Sequence, residues 1–177
     1  MFHPERLEQP AHTRKPGRVF VCSTSDWLHP GVPNDWIEKM IAMMVQPIFG
    51  GSHHTYILLS KRIVRLVTDP HCHPEHFAKW RNIWLGVTAE NQARYDERWS
   101  ILASIPAAVR FVSVEPMLGP VIPNCYDGKE PDWTICGPET GASKRPCKDE
   151  WIESLSRQSA CFFDKRTPWT RREWPKG

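Results

Sequence analysis

Six short apolar runs, each ending in polar residues, restrict what this chain can fold into more than any other feature. Val19–Phe20–Val21–Cys22 leads into Ser23–Thr24–Ser25–Asp26, and Tyr56–Ile57–Leu58–Leu59 leads into Ser60–Lys61–Arg62. Ile83–Trp84–Leu85–Gly86–Val87 leads into Thr88–Ala89–Glu90–Asn91, and Arg110–Phe111–Val112–Ser113–Val114 into Glu115. Trp133–Thr134–Ile135–Cys136 leads into Gly137–Pro138–Glu139–Thr140, and Cys161–Phe162–Phe163 into Asp164–Lys165–Arg166. Such runs are continuous rather than strictly alternating, as in strands of a parallel sheet covered on both faces. After a longer first gap they recur about every 23–28 residues, the size of one strand–helix unit.

Helical periodicity fills several of the gaps. Ile37, Met40, Ile41 and Met44 share a face after Asn34 and Asp35, residue types suited to a helix start. Ile63, Leu66 and Val67 are expected on one face, as are Tyr95, Trp99 and Leu102, and Trp151, Ile152 and Leu155. Between Pro116 and Pro131 no helical period is visible, and a long irregular crossover is expected there. Strands alternating with helices indicate an α/β fold with a parallel sheet. The near-constant repeat with polar strand ends favours a TIM-type (βα) barrel, whole or partial, over a doubly wound open sheet. No GxGxxG or GxxxxGK[ST] motif is present, so neither a dinucleotide fingerprint nor a P-loop is indicated.

Residues 1–17 read as a polar arm or linker, 18–166 as a single α/β domain and 167–177 as a basic, Trp-containing tail. With 40% hydrophobic and 24% charged residues the chain is of globular rather than disordered composition. A net charge of +3 is too small to argue for nucleic acid alone. No apolar stretch approaches the roughly 18 residues of a membrane span, and the N-terminus lacks the apolar core of a signal peptide. A cytoplasmic location is therefore expected. The cysteines (Cys22, Cys72, Cys125, Cys136, Cys147 and Cys161) form no CxxC pair, and reduced thiols are expected rather than a disulfide framework.

Parallel strands would deliver Ser23, Asp26, Lys61, Glu90, Asn91, Glu115, Glu139 and Lys165 to one rim. Carboxylates, amines and hydroxyls in one cavity suit a zwitterionic ligand or proton transfer. The alternative is that some are helix caps and rim ion pairs. Asp69–Pro70–His71–Cys72–His73–Pro74–Glu75–His76 carries donors fit for zinc, but its spacing matches no familiar motif and a solvated turn is the expectation. His53–His54 is a weaker suspect. The tail from Lys165 to Lys176 interleaves cations with Trp169 and Trp174, which suits either nucleic-acid contact or a docked end. No GxSxG elbow or local Cys–His signature supports a nucleophilic hydrolase.

In order along roughly residues 18–166, several segments resemble a phage- and prophage-encoded family of unknown function related to radical S-adenosylmethionine proteins. The matching residues are 19–26, 58–62, Asn82–Gln92, Arg110–Pro120, Asp132–Gly141, Arg145–Pro146 and Phe162–Lys165. The resemblance implies a (βα) barrel, S-adenosylmethionine as cofactor, and a 4Fe–4S cluster held by three closely spaced cysteines ahead of the first matching strand. Residues 1–17 contain no cysteine, and none of the six later cysteines has that spacing. The expectation is an incomplete barrel lacking its first strand–helix unit, with no iron–sulfur cluster, no cofactor in this chain and no independent radical chemistry. Activity would then require a cluster-bearing partner chain, and the exposed sheet edge would favour such a partner or a homodimer. A second departure is Pro138, where the family would have a glycine before the acid; proline removes a backbone N–H there. The competing expectation is a non-enzymatic binding module for nucleic acid or a small polar ligand.

Overall fold

Each apolar run becomes a parallel strand, and its alternating side chains sort onto two different faces. The computed structural model describes residues 3–166 and 171–176. The strands are β1 (Arg18–Val21), β2 (Thr55–Ser60), β3 (Ile83–Thr88), β4 (Val109–Val114), β5 (Trp133–Cys136) and β6 (Phe162–Asp164), each within one residue of the run that predicts it. They pair in parallel in the order of the chain. This order has no switch point, which sets it apart from a doubly wound sheet. The sheet curls into a half-barrel, and its helices pack on the outside.

The convex face carries Val19, Val21, Tyr56, Leu58, Leu85, Val87, Val112, Val114 and Phe162. Against it pack α1 (Asn34–Val45), α3 (Gln92–Ser104) and α4 (Asp149–Gln158), through Ile37, Met40 and Met44, through Tyr95, Trp99 and Leu102, and through Ile152 and Leu155. Between them α2 (Arg65–Thr68) is one turn long. Ile63 and Leu66 are buried, but Val67 is 48% exposed, contrary to the shared face expected from the sequence. A single turn is too short for helical periodicity to sort side chains. At α1 the chain enters through extended Pro33 with no side-chain cap, so Asn34 opens the helix and instead accepts a hydrogen bond from Arg65. The segment after β4 is irregular, as expected, with an isolated bridge between Tyr126 and Lys129.

The concave face has its own core of Ile57, Trp84, Val109, Phe111, Trp133 and Ile135. Gly86 leaves room there for the Phe111 ring, whose atoms lie 2.2–2.5 Å from where a β-carbon at 86 would stand. Residues 171–173 run antiparallel beside β6, with Asp164 N–H donating to the Arg171 carbonyl and Glu173 N–H to the Phe162 carbonyl, both at 2.9 Å. Trp174 then folds onto the concave face, 4.8 Å from Trp133 and 5.5 Å from Phe163 between ring centroids. The Arg18 guanidinium of β1 lies 4.1 Å from the same indole. Opposite edge strands therefore meet on one side chain. The outer edge of β1 has no strand partner among the described residues, whereas β6 is covered.

Candidate functional site

Parallel strands end together, so the polar residues that follow them gather at one rim. The eight residues expected there have different duties. Asp26, in the turn after β1, accepts hydrogen bonds from Ser60 Oγ (2.6 Å), Arg62 Nη1 (2.8 Å), Lys61 N–H (3.0 Å) and Leu28 N–H (3.1 Å). Burial raises its pKa, but these four donors outweigh it and hold the carboxyl below its ordinary value. Asp26 thus fastens the β1 turn to β2. Asn91 caps α3 by accepting from Arg94 N–H at 3.1 Å, the helix-cap alternative foreseen above.

Five residues form ion pairs that stay partly open to water. Lys61 Nζ reaches Glu90 at 2.6 Å, and Arg98 approaches the other Glu90 oxygen at 3.0 Å. Burial pushes the Glu90 pKa up, while these cations bring it net below the ordinary value. Lys165 meets Glu115 at 2.5 Å across the end of β5. The intervening residue is Gly137, where a β-carbon would come 3.1 Å from Lys165 Cβ and 3.3 Å from the Glu115 carboxylate. Any side chain at 137 would crowd that pair. Glu139 accepts from Arg145 Nη2 (2.6 Å), Nε (2.8 Å) and N–H (2.8 Å), which lower its pKa to about 2. Arg145 also lies near enough to Glu90 to feel its charge. The strand ends alone do not indicate Arg98 and Arg145. They arrive from a helix and a loop, and only Arg145 was visible, as part of a segment resembling the family.

Ser23 lines a hollow of about 310 Å³ at the ends of β1 and β2, together with Thr24, Ser25, Lys61, Arg62 and Thr88, over a floor of Phe20 and Leu59.

The histidine-rich segment is built differently. Among the described residues no three His, Cys, Asp or Glu side chains are grouped to hold a metal ion. Pro74–Lys79 forms a 3-10 turn. The His73 Nδ1 lies 3.3 Å from Glu75, and His76 packs edge-on against Trp80. His71, Cys72, His73 and His76 all line one largely apolar groove of about 290 Å³ beside Ile37, Ile41 and Trp80, with the His73 and His76 rings 5.2 Å apart between centroids. His53 and His54 are each 2.8 Å from a carbonyl of the N-terminal arm, those of Thr13 and Pro10, and Gly17 N–H donates to His54 Nδ1 at 3.1 Å. They fasten the arm to the foot of β2.

All six thiols are free. Cys136 is fully buried with its Sγ 3.5 Å from Met117 Sδ, and burial pushes its pKa up. In the tail, Arg171 donates to the carbonyls of Ser156, Ser159 and Ala160 and pairs with Glu173. With Trp174 on the concave face, both groups contact the protein itself. The remaining tail positions Thr167, Pro168, Trp169, Thr170 and Gly177 lie outside the described residues.

No helix among the described residues is long and apolar enough to cross a membrane. A family described as "Protein of unknown function (DUF5131)" matches residues 1–174. No curated protein and no solved structure matches the chain.

Proposed function

The chain belongs to the DUF5131 family of proteins of unknown function, and on that premise we propose that its carboxyl-end rim binds a small ligand bearing both an ammonium and a carboxylate group. The observation that carries this reading is the pairing of Lys61 with Glu90 at the ends of β2 and β3 and of Lys165 with Glu115 across the end of β5, with Arg145 near enough to Glu90 to feel its charge. The lysines are about half exposed, at 49% and 46%. Exposed ion pairs contribute only about 0–1 kcal/mol. A zwitterion can therefore insert between the partners of each pair at little cost, its carboxylate taking a lysine and its ammonium a glutamate.

The methionine end of S-adenosylmethionine has this chemistry, which accords with the resemblance to radical S-adenosylmethionine proteins. On this reading the half-barrel is an incomplete TIM-type barrel, in which ligands gather at the carboxyl ends of strands. Lys61 and Lys165 would hold the cofactor's carboxylate, and Glu90 and Glu115 its ammonium. Bound S-adenosylmethionine would supply a reactive sulfonium. The thiols do not fit the implied 4Fe–4S cluster, because no three are grouped among the described residues. No step is assigned to a cluster held by the described residues.

Calorimetric titration of the full chain with methionine, S-adenosylmethionine and N-acetylmethionine tests the proposal. The first two should bind saturably, N-acetylmethionine should bind more weakly, and Lys165→Glu should weaken methionine by about tenfold or more. Equal binding of N-acetylmethionine, or no methionine binding at millimolar concentration, would refute it.

A further inference from the structure

Beside the rim pairs, the hollow at the ends of β1 and β2 has features they do not use. Phe20 forms its floor and is 46% exposed, a large aromatic left open on an otherwise apolar concave face. Cys22 takes a left-handed backbone (φ 55°), uncommon for a side chain of this kind, and turns the chain sharply at the end of β1. Among the described residues, the N–H groups of Ser23 and Thr24 that follow have no protein acceptor, and their hydroxyls have no hydrogen-bond partner. Successive amides freed by such a turn make an anion-binding concavity.

Charge points the same way. Arg62 gives one guanidinium nitrogen to Asp26 and leaves the rest of a 41%-exposed side chain without a partner among the described residues. The linked cluster of Asp26, Lys61, Arg62, Glu90 and Arg98 holds three cations against two carboxylates. One net positive charge therefore stands next to a set of uncommitted donors and an open ring.

We infer that this hollow binds a nucleotide, with the base lying on Phe20 and the phosphate held by Ser23, Thr24 and Arg62. An apolar ligand would leave the amides and hydroxyls without acceptors. Inorganic phosphate would leave Phe20 uncovered. At about 310 Å³ the hollow is at the lower end of the range for small-ligand sites. The nucleotide is either free or one unit of a single strand, since both present the same base and phosphate. This inference goes beyond the zwitterion reading: Phe20, Ser23, Thr24 and Arg62 take no part in that reading, while Lys61 and Glu90 are common to both.

Binding to the full chain can be measured by calorimetry with adenosine 5′-monophosphate, adenosine and inorganic phosphate, and by anisotropy with a fluorescein-labelled oligodeoxythymidylate. The expected result is saturable binding of the monophosphate, with adenosine and phosphate each weaker. Phe20→Ala should weaken the monophosphate by about tenfold, the scale of one lost base–aromatic stack. The double variant Ser23→Ala/Thr24→Ala should weaken it comparably. Binding of the oligonucleotide with the same sensitivities, without the free monophosphate, assigns the site to a strand. No binding of either, or binding that both hollow variants leave intact, overturns the inference; if one variant fails to fold, the other decides.

Discussion

Gly86→Ala probes how tightly the concave face is filled. Gly86 has no positive φ, so alanine meets no backbone obstacle there, and only space is at issue. The new methyl would stand 2.2–2.5 Å from three Phe111 ring atoms, against an optimal carbon–carbon separation of about 3.5–4.0 Å. The ring cannot simply retreat, because Phe111 is fully buried and the Trp133 ring lies 5.5 Å away. Overpacking of this kind costs about 1–3 kcal/mol. A clash of more than an ångström against a rigid ring belongs at the upper end. Alanine recovers roughly 0.5–1 kcal/mol over glycine in a strand, which leaves a net cost of about 2 kcal/mol. For a chain of this length that is a fall in Tm of about 4–8 °C. Urea denaturation should be run on Gly86→Ala in the natural chain and in a Phe111→Leu background. Without the ring, the same methyl should cost less than about 0.5 kcal/mol, the limit within which independent sites add. An equal cost in both backgrounds would refute the steric account.

Asp26→Asn should destabilise by about 2–3 kcal/mol, because the turn loses its bond to Arg62 and sets an amide donor among donors. The Asp26 carboxyl is held below its ordinary 3.8. Its contribution is therefore complete above that pH and lost as pH falls through the lowered value, so an acid titration of stability should show a slope there that the variant lacks. Trp174→Ala should cost about 1–2 kcal/mol in urea, through lost ring contacts and the Arg18 cation–π contact; an unchanged midpoint would count against the docked tail. With a thiol reagent, exposed Cys125 should react first and buried Cys136 only on unfolding.

The strands were legible because strands covered on both faces carry apolar side chains on successive residues, and the six runs do so with few interruptions, such as Arg110, Ser113 and Thr134. The faces of α1 and α3 were legible because they span enough turns for period to matter; α2 was not, being too short. At the rim, the strand-end rule found Lys61, Glu90, Glu115 and Lys165, whose positions follow from strand direction alone. It could not separate them from Asp26 and Asn91, whose duties depend on which backbone N–H groups lie nearby. It also missed Arg98, since the approach of a helix to a strand end is a tertiary matter. The histidine segment shows the limit of donor counting. Several potential ligands in eight residues carry no information on their geometry: His71, Cys72, His73 and His76 line one groove and the His73 and His76 rings lie 5.2 Å apart between centroids, yet no three donors are grouped to hold a metal ion among the described residues.

The meeting of Arg18 and Trp174 has a kinetic consequence. In a sheet whose strands pair in chain order, each unit touches chiefly its sequence neighbours, so assembly can spread stepwise from any point, as in repeat proteins. The contact between Arg18 and Trp174 joins the first strand to the last described segment, and it closes a loop of nearly the whole chain. Loop-closure entropy places such a contact late in folding. It acts as a latch that makes separately nucleated units open and close together. Without it, hydrogen exchange should reveal fraying that begins at β1 and β6 and decays inward.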